Sequence, residues 1–258
     1  MKAKVLCAVI IVPIICMFTT ACSIVSFDKN DYQAYSESLP PFILTKGEKV
    51  TGGAAYDIFL ELQSRTKSTI PVKLLKWDDA YERTLNNVNS IILPLAFIPS
   101  RQNEFKWVGP MYKTSSFLYC SDLNKIKLDK LSDAKKYNIA VYKDDVLALY
   151  LKGEGFSNLV TGLTPEENAK MLMTSKVQLW AVNEAVVRRV AKIAGSNYKL
   201  MRKSIKIMDA DLYIGFHHET PDQIVSSFQN QLNAMKKDGS LDRILKKYNL
   251  NNNSTSKR

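Results

Sequence analysis

The stretch Leu93–Pro110, LPLAFIPSRQNEFKWVGP, places one arginine, Arg101, between an apolar run and a Trp-Val-Gly-Pro corner. The segment that leads into it, SIIL at Ser90–Leu93, predicts a short buried strand. Pro94 is expected to end the regular ladder because proline has no N–H to donate. Residues 95–101 are then predicted to form a loop at a strand end. Ligands bind at that edge of open α/β sheets, so Arg101 is a candidate ligand-binding residue.

Outward from this stretch, strand-like runs alternate with amphipathic helices, which predicts an α/β fold with sheets covered by helices. Asp78 is expected to cap the helix that follows one such strand. Thr164-Pro165-Glu166-Glu167 predicts another helix start, with a capping threonine and proline at the first helical position. A later helix is predicted to bury a single face, formed by Ile224, Phe228, Leu232 and Met235.

The N-terminus predicts export. Lys2 and Lys4 precede an uncharged run over residues 5–18 that is too short to span a bilayer comfortably, and small residues and then Cys22 follow. We expect residues 1–21 to be a signal peptide and the protein to reach the periplasm or cell envelope. Cys22 resembles the lipidated first residue of a bacterial lipoprotein, and the alternative is conventional cleavage with Cys22 incidental. A lipid on Cys22 would be the protein's sole attachment to a membrane.

The net charge of +11 on 258 residues does not indicate a nucleic-acid partner. Lysine and arginine are scattered along the chain, and the dense cluster is in the tail, residues 251–258, which is predicted to be disordered. Such scattered charge favours a general attraction to acidic envelope polymers. We expect a monomer.

No catalytic residues, metal or cofactor are predicted. The sequence has no supported Ser–His–Asp arrangement, glycine-rich phosphate loop or metal-ligand spacing. The adjacent His217 and His218 are expected to face opposite sides of an extended segment and so not to converge on a metal. A protein without enzymatic activity is therefore expected. Glu184 beside Asn183 keeps hydrolysis or dehydration open as an alternative, because Glu184 could act as a general acid or base in a closed cleft.

A series of short segments, taken together in chain order, resembles a known protein family, although no single segment is specific for it. In chain order they are LPPF, GGAAYDI, WDDA, IPSRQNEFKWVGP, IAVYKDDV, KGEGFSNL, VQLWAV, LYIGF, TPD and KKDGSLDRILKKY. With the export signal, this series resembles the family 3 bacterial solute-binding proteins, the polar amino-acid-binding receptors of ABC importers. The resemblance runs from about Asp31 to Leu250.

What the resemblance implies is a type 2 periplasmic-binding fold. Two α/β lobes, each a mostly parallel sheet flanked by helices, would be joined by two crossover segments and would close on a small solute. Lobe 1 would comprise residues 28–113 and 211–250, and lobe 2 residues 114–210. The expected partner is an ABC permease of the inner membrane. An envelope sensor, or a divergent binding protein without a transport role, is the alternative.

The resemblance also implies candidate site residues. Arg101 matches the family's arginine that receives a solute's carboxylate, and a planar guanidinium pairs with a carboxylate through two parallel hydrogen bonds. The structural alternative is an arginine that pairs with Glu104 or stacks on Trp107. Asn183, followed by Glu184, matches the acidic position that commonly receives an α-ammonium group.

Several positions depart from the family's pattern. Ala96 and Ile98 stand where the family usually has a small polar residue and a threonine. Asp144 and Asp145 stand at a helix start whose N–H groups commonly meet the solute carboxylate, so they would cap the helix and repel a second anion. The expected solute is an amino acid or a related carboxylate. Its carboxylate is expected to be bound less strongly than in typical members of the family.

Aromatic side chains near predicted strand ends or helix starts are the remaining candidates. Phe42 and Trp77 are predicted to stack on the solute, followed by Tyr56 and Trp180. Residues of this kind also serve as ordinary core residues.

Overall fold

The computed structural model describes residues 32–124 and 126–250. The predicted signal peptide, Cys22 and the tail lie outside these residues. The strands are β1 (Gln33–Ser36), β2 (Leu44–Lys46), β3 (Lys49–Gly52), β4 (Val72–Leu74), β5 (Ser90–Ala96), β6 (Phe105–Ser121), β7 (Ile139–Tyr142), β8 (Leu159–Gly162), β9 (Leu179–Asn183) and β10 (Met201–His217). The α-helices are α1 (Ala54–Thr66), α2 (Trp77–Asn86), α3 (Val146–Gly153), α4 (Pro165–Met173), α5 (Glu184–Ile193), α6 (Asp222–Lys237) and α7 (Ser240–Lys247).

Eight strands form one sheet in the order β4-β1-β5-β10-β6-β9-β7-β8, and β2 and β3 form a small hairpin. At one end β1 pairs in parallel with β4 and β5, and at the other end β7 pairs in parallel with β8 and β9. The predicted α/β class, with mostly parallel strands flanked by helices, is confirmed.

The two long strands β6 and β10 run antiparallel through the centre of the sheet. The segment Leu212–Phe216 of β10 pairs with β5, whereas the segment Ser116–Cys120 of β6 pairs with β9. Each group of parallel strands is therefore attached to a different end of the central pair. Lys113 and Asp211, where the sequence places the lobe boundaries, lie opposite each other in this pair. The division into two lobes at these residues stays a prediction.

The helices bury their apolar faces against the sheet. In the largest core cluster, the Phe228 ring of α6 lies 6.3 Å from the Phe59 ring of α1 and 5.3 Å from the Phe216 ring of β10, between centroids. The predicted buried face of α6 is confirmed, since its four apolar residues are at most 4 % exposed. Separate clusters join α3 to β7 and β9, and α2 to β5. No helix in the described part of the chain is long and apolar enough to cross a membrane.

The prediction that Pro94 ends its strand is wrong, because β5 continues to Ala96. Two features of the ladder accommodate the proline. On one side β1 pairs with β5 only as far as Ile92, and on the other side β10 has a bulge between Tyr213 and Gly215. Proline is tolerated at such irregular positions because the ladder does not require its N–H. The loop predicted over residues 95–101 is correspondingly shorter and ends in a 3₁₀ turn, Pro99–Arg101.

The prediction that Asp78 caps α2 is also wrong. The helix begins at Trp77, after Lys76, which provides no side-chain cap. Asp78 lies in the first turn, where its charge still interacts favourably with the helix dipole. Its carboxylate is engaged by the Lys143 ammonium at 3.2 Å, across the cleft described below.

Candidate functional site

A cavity of about 120 Å³ lies where the parallel strands of both groups end. Its polar wall combines residues from the two sides, namely Glu37, Trp77 and Arg101 from the first group and Tyr142, Asp145 and Asn168 from the second. Carboxyl ends of parallel strands and starts of helices are the usual location of ligand sites in such sheets. The volume is below the roughly 300–1,000 Å³ of pockets for drug-sized ligands, which indicates a small occupant.

Arg101 lies in the 3₁₀ turn after β5 and is 5 % exposed. Its guanidinium carbon lies 4.8 Å from the centroid of the Tyr81 ring and 5.4 Å from that of the Trp77 ring. Among the residues that the structure describes, no carboxylate forms a salt bridge with Arg101. Glu104 is instead hydrogen-bonded by the Tyr81 hydroxyl. Arg101 is thus a buried cation fixed by aromatic rings at the cavity wall.

Glu37 follows β1 and accepts a hydrogen bond from the Tyr142 hydroxyl at 2.8 Å. Burial raises the pKa of the Glu37 carboxyl to about 8, and the negative charges of Asp145, Asp78 and Glu166 add to the rise, whereas the bond from Tyr142 opposes it. This carboxyl therefore holds its proton near neutral pH unless a positive group approaches.

Asp145 is the N-cap of α3, as the sequence predicts, and its side chain accepts a hydrogen bond from the Leu147 N–H at 3.3 Å. Burial raises the pKa of its carboxyl to about 6, against the lowering effects of the helix N–H groups and of the Arg101 charge. The backbone carbonyl of Asp144 accepts a hydrogen bond from the Trp77 indole N–H at 3.3 Å. Asp145 therefore caps α3, and Asp144 connects the start of α3 to Trp77 on the other side of the cavity.

Asn168 on α4 is fully buried, and neither its amide nitrogen nor its carbonyl oxygen has a hydrogen-bond partner. Gly162 at the end of β8 permits this position, since a Cβ there would lie 2.1 Å from the Asn168 Oδ1. Buried polar atoms in proteins almost always have partners. Asn168 thus places one hydrogen-bond donor and one acceptor on the cavity wall that the described protein atoms leave unpartnered.

Asn183 lines the same cavity, and its side-chain oxygen already accepts two hydrogen bonds. The Thr114 hydroxyl donates at 2.7 Å and the Ala185 N–H donates at 2.9 Å, which makes Asn183 the N-cap of α5. A neutral amide whose oxygen is committed in this way is poorly suited to receive an ammonium group.

The other predicted site residues divide between the cavity and its surroundings. Phe42, 2 % exposed, and Trp77 line the cavity. Tyr56 packs against the main core cluster and is not part of the cavity wall. Glu184 pairs with Lys203 and faces a wide groove of about 850 Å³ instead. That groove is lined by exposed side chains such as Arg189, so it lacks the buried, convergent polar groups of the smaller cavity.

In the described part of the chain, three polar contacts join the two sides of the cavity. They are the Tyr142–Glu37 hydrogen bond, the Trp77–Asp144 hydrogen bond and the Lys143–Asp78 ion pair. Each connects an element before Lys113 with the segment around the start of α3. The two sides of the cavity are therefore in direct contact in this structure.

The expectation that His217 and His218 face opposite ways is wrong, since their ring centroids lie 4.2 Å apart. The reason is that β10 ends at His217, so strand alternation does not extend to His218. The His217 Nδ1 accepts a hydrogen bond from the Glu219 N–H at 3.1 Å. Within residues 32–124 and 126–250, no group of three or more His, Cys, Asp or Glu side chains could hold a metal ion.

Sequence reasoning missed three cavity residues, Glu37, Tyr142 and Asn168. For the first two a usable signal existed, because each lies at the carboxyl end of a strand and such ends converge on ligand sites. Asn168 lies inside α4, and nothing in the sequence distinguishes it from a solvated helix residue.

Solved structures with the same fold cover most of this chain. A histidine kinase sensor domain similar to periplasmic binding proteins matches at a TM-score of 0.77 and 13 % identity, over 86 % of this chain and 97 % of its own. A periplasmic binding protein of an arginine transport system from Legionella pneumophila matches at a TM-score of 0.71 and 18 % identity. The match covers 84 % of this chain and 99 % of that protein. An ancestral amino acid-binding protein, a precursor of cyclohexadienyl dehydratase, matches at a TM-score of 0.72 and 15 % identity. The match covers 84 % of this chain and 94 % of that protein.

At 18 % identity or less, these similarities show a shared fold alone. No curated protein sequence matches the chain significantly. A family model describing bacterial extracellular solute-binding proteins, family 3, matches residues 33–251, which is most of the chain. The chain therefore belongs to the family 3 bacterial extracellular solute-binding proteins.

Proposed function

We propose that this protein is an exported receptor that binds one small polar solute in the cavity and delivers it to an ABC importer. The observation that carries the proposal is the convergence of buried Arg101 and unpartnered Asn168 on one small cavity between the two strand groups. Family membership supports the binding role. In this proposal residues 28–113 with 211–250, and residues 114–210, move as two lobes about the β6–β10 pair.

In the same proposal, Arg101 orients the solute by pairing with a carboxylate or a similar planar anion. Aromatic rings hold the guanidinium without neutralising its charge. A fixed and nearly dry cation needs little further ordering when an anion binds, so more of the interaction energy appears as affinity. Phe42 and Trp77 would supply the apolar walls around the solute.

Solution scattering and thermal unfolding test the receptor function together. A true solute should shift an open population toward the closed arrangement and raise the melting temperature by mass action. A panel of amino acids, amines, small carboxylates and short peptides should contain at least one compound that does both. If no compound has either effect, the receptor function is contradicted.

For the N-terminus we propose removal of residues 1–21 and lipidation of Cys22, which would keep the receptor beside its permease without a spanning helix. Both features lie outside the described residues. Intact-mass measurement of protein from the native host is the test. A mature chain that begins at Cys22 and carries acyl chains is the expected result, and an unmodified N-terminus would remove the anchor.

An envelope sensor is the second candidate function. Similarity to a histidine kinase sensor domain favours it, because that domain has the same fold as this chain. Neighbouring genes for an integral permease and an ATPase would support delivery to an importer. An isolated gene, together with unchanged solute uptake in a deletion strain, would support sensing.

We propose that the protein is not an enzyme, although one structural neighbour is the precursor of a dehydratase. An enzymatic role would depend on Glu184 as a general acid or base. Its carboxylate pairs with Lys203 and faces the groove rather than the cavity, which argues against that role. Turnover of a small carboxylate by the purified protein, abolished by Glu184→Gln, would reverse this conclusion.

A further inference from the structure

Positive charges that are scattered along the sequence come together in one place in the fold. The wide groove of about 850 Å³ that Glu184 faces has walls from α5, from the central strands β6 and β10, and from the end of α7 with the residues that follow it. We name it the basic groove. Its charged side chains are six cations and two carboxylates, namely Lys113, Arg188, Arg189, Lys192, Lys206, Lys247, Glu184 and Asp209.

Both carboxylates of the basic groove are already engaged. The Asp209 carboxylate pairs with Lys206 at 2.6 Å and accepts a hydrogen bond from the Ser115 hydroxyl, also at 2.6 Å. The Glu184 carboxylate pairs with Lys203, which is not part of the groove wall. Neither acid therefore neutralises a second cation of the groove.

Four cations of the basic groove are left without a carboxylate. Lys247 is not one of them, because its ammonium pairs with Asp57 at 2.7 Å. Within the described residues, the cations of the groove that form no salt bridge are Lys113, Arg188, Arg189 and Lys192. Four positive charges are thus available to an anion from outside the protein.

Helix α5 supplies three of these four cations because it is amphipathic. It buries one face, formed by Val186, Val187, Val190 and Ala191. Its exposed basic residues, which line the groove, are Arg188, Arg189 and Lys192. Residues one turn apart on a helix have Cβ atoms about 5–6 Å apart, and like charges at this spacing are slightly unfavourable. An anion beside Arg188 and Lys192 would relieve that repulsion.

The protein leaves Arg188 unpaired although a carboxylate lies at the right spacing on the same helix. Glu184 precedes Arg188 by four residues, a separation that favours an ion pair within a helix. The Glu184 carboxylate engages Lys203 on β10 instead. The Arg188 guanidinium carbon lies 5.1 Å from the centroid of the Tyr198 ring, so an aromatic ring positions this cation without neutralising it.

The chemistry of the four cations favours a phosphate-bearing ligand. A guanidinium pairs with phosphate oxygens through two parallel hydrogen bonds, and an ammonium adds a point charge. Several cations spread along one wall suit an anion with several charges. The groove volume lies within the roughly 300–1,000 Å³ of small-molecule sites. A concave wall of this size contacts a short flexible chain more completely than it contacts a flat bilayer.

We propose that the basic groove is a second binding site, which binds a linear polyanion of linked phosphate groups through Arg188, Arg189, Lys192 and Lys113. The site goes beyond the solute cavity and does not depend on the proposed receptor function. In a cell envelope it would hold the protein beside phosphate-rich polymers. The general attraction that scattered charge predicts is thereby assigned to one groove.

The basic groove borders the solute cavity but does not use its charged residues. Thr114 lines both, and its hydroxyl is committed to Asn183. Arg101 lines the cavity and is not part of the groove wall. Binding of a polyanion in the groove should therefore not require Arg101, so Arg101→Ala separates the two sites.

The experiment measures binding of tripolyphosphate by calorimetry at an ionic strength of about 0.15 M, which screens exposed charges more than about 8 Å apart. Inorganic monophosphate and vesicles of phosphatidylglycerol are the comparison probes. The groove variant combines Arg188→Gln, Arg189→Gln and Lys192→Gln. The control variant removes the same charge elsewhere, through Lys73→Gln, Arg83→Gln and Lys237→Gln, at exposed positions that line neither site.

We expect wild type to bind tripolyphosphate more tightly than monophosphate, because a chain engages several cations at once. The groove variant should lose at least tenfold in affinity, whereas the control variant and Arg101→Ala should stay within about twofold of wild type. Affinity should also fall as salt is raised, since bound phosphates release counterions. Equal melting temperatures of the groove and control variants would confirm that the substitutions leave the fold intact.

Four results would overturn the inference. They are no binding of tripolyphosphate to wild type, an equal loss in the groove and control variants, a loss in Arg101→Ala, and binding of vesicles without binding of tripolyphosphate. The second would show a general charge effect, the third would place the anion in the solute cavity, and the fourth would assign the groove to a membrane surface.

Discussion

At the scale of single residues, the site depends on a few buried polar groups whose partners are incomplete. Arg101 contacts aromatic rings and Asn168 has unsatisfied amide atoms. In a well-packed protein such groups cost stability unless a ligand or solvent satisfies them. Substitutions at these positions should therefore affect binding more than folding.

Substitution of Arg101 tests this directly. Removing one partner of a buried charge pair typically costs about 2–5 kcal/mol, so Arg101→Ala should weaken binding of the identified solute by about 30-fold or more. Arg101→Lys should not restore it, because an ammonium lacks the planar, two-pronged geometry of a guanidinium. Calorimetry measures both variants, with exposed Arg83→Lys on α2 as the control. Affinity within a few-fold in both Arg101 variants would mean that the residue only braces the turn.

The stability of the solute-free protein should depend on pH through Glu37. Its pKa is raised from 4.5 to about 8 in the folded protein, so the folded state binds the proton more tightly than the unfolded chain. This contribution is fully present below about pH 4.5 and is lost as the pH rises through about 8. Glu37→Gln removes the titration without removing the shape of the side chain.

We expect the melting temperature of Glu37→Gln, relative to wild type, to increase between pH 5 and pH 8. A relative gain of roughly 2–4 °C corresponds to about 1 kcal/mol in a chain of this size. Asp145, whose pKa is also raised, titrates in both proteins and largely cancels in the comparison. A constant difference across this pH range would show that Glu37 is ionised in both states.

At the scale of secondary-structure elements, the sequence predicts best where local chemistry decides the outcome. The start of α4 is one example, since the Thr164 hydroxyl accepts from the Glu167 N–H at 3.1 Å and Pro165 occupies the first helical position. The path of β5 through Pro94 was mispredicted. Whether a proline interrupts a strand depends on which neighbouring groups need its N–H, and those neighbours come from β1 and β10, far away in sequence.

The cap of α4 should be important for stability. Thr164→Ala removes an N-cap acceptor, which costs about 1 kcal/mol and should lower the melting temperature by roughly 2–4 °C. The matched control is Thr161→Ala, an exposed threonine in β8. Because α4 also supplies Asn168 to the cavity, the variant should bind the solute more weakly as well. Equal melting temperatures for the two variants would contradict the capping role.

At the scale of the whole molecule, three contacts hold the two sides of the cleft together, and they differ in strength. The Lys143–Asp78 ion pair is about half exposed on both sides, so it contributes little. The Tyr142–Glu37 hydrogen bond is the better shielded contact. Its loss leaves a shielded carboxyl without a partner, which costs about 1–3 kcal/mol.

Tyr142→Phe should therefore favour an open cleft in the solute-free protein. We expect a larger radius of gyration by solution scattering, which the solute reverses. Tyr150→Phe on α3 is the control, since it removes a hydroxyl from the same side of the cavity without touching this contact. An unchanged radius of gyration in Tyr142→Phe would show that the hydrogen bond does not hold the cleft closed.

Much of the fold could be predicted from a collinear set of weak motifs, whereas only part of the candidate site could. Arg101, Phe42 and Trp77 line the cavity, and each lies beside a strand end or a helix start, which the sequence indicates. Glu37, Tyr142 and Asn168 come from three distant segments, and their proximity depends on the sheet order β1-β5-β10-β6-β9-β7. No local pattern encodes the lack of a partner for Asn168.

The binding of one small solute between the two strand groups is tested most directly by native mass spectrometry. Wild-type protein from its native host, before and after incubation with a small-molecule extract of the growth medium, is compared with Arg101→Ala. We predict a 1:1 small-molecule adduct on wild type, absent from the variant, whose mass identifies the solute. A wild-type protein that shows only its own mass under both conditions would contradict the receptor function.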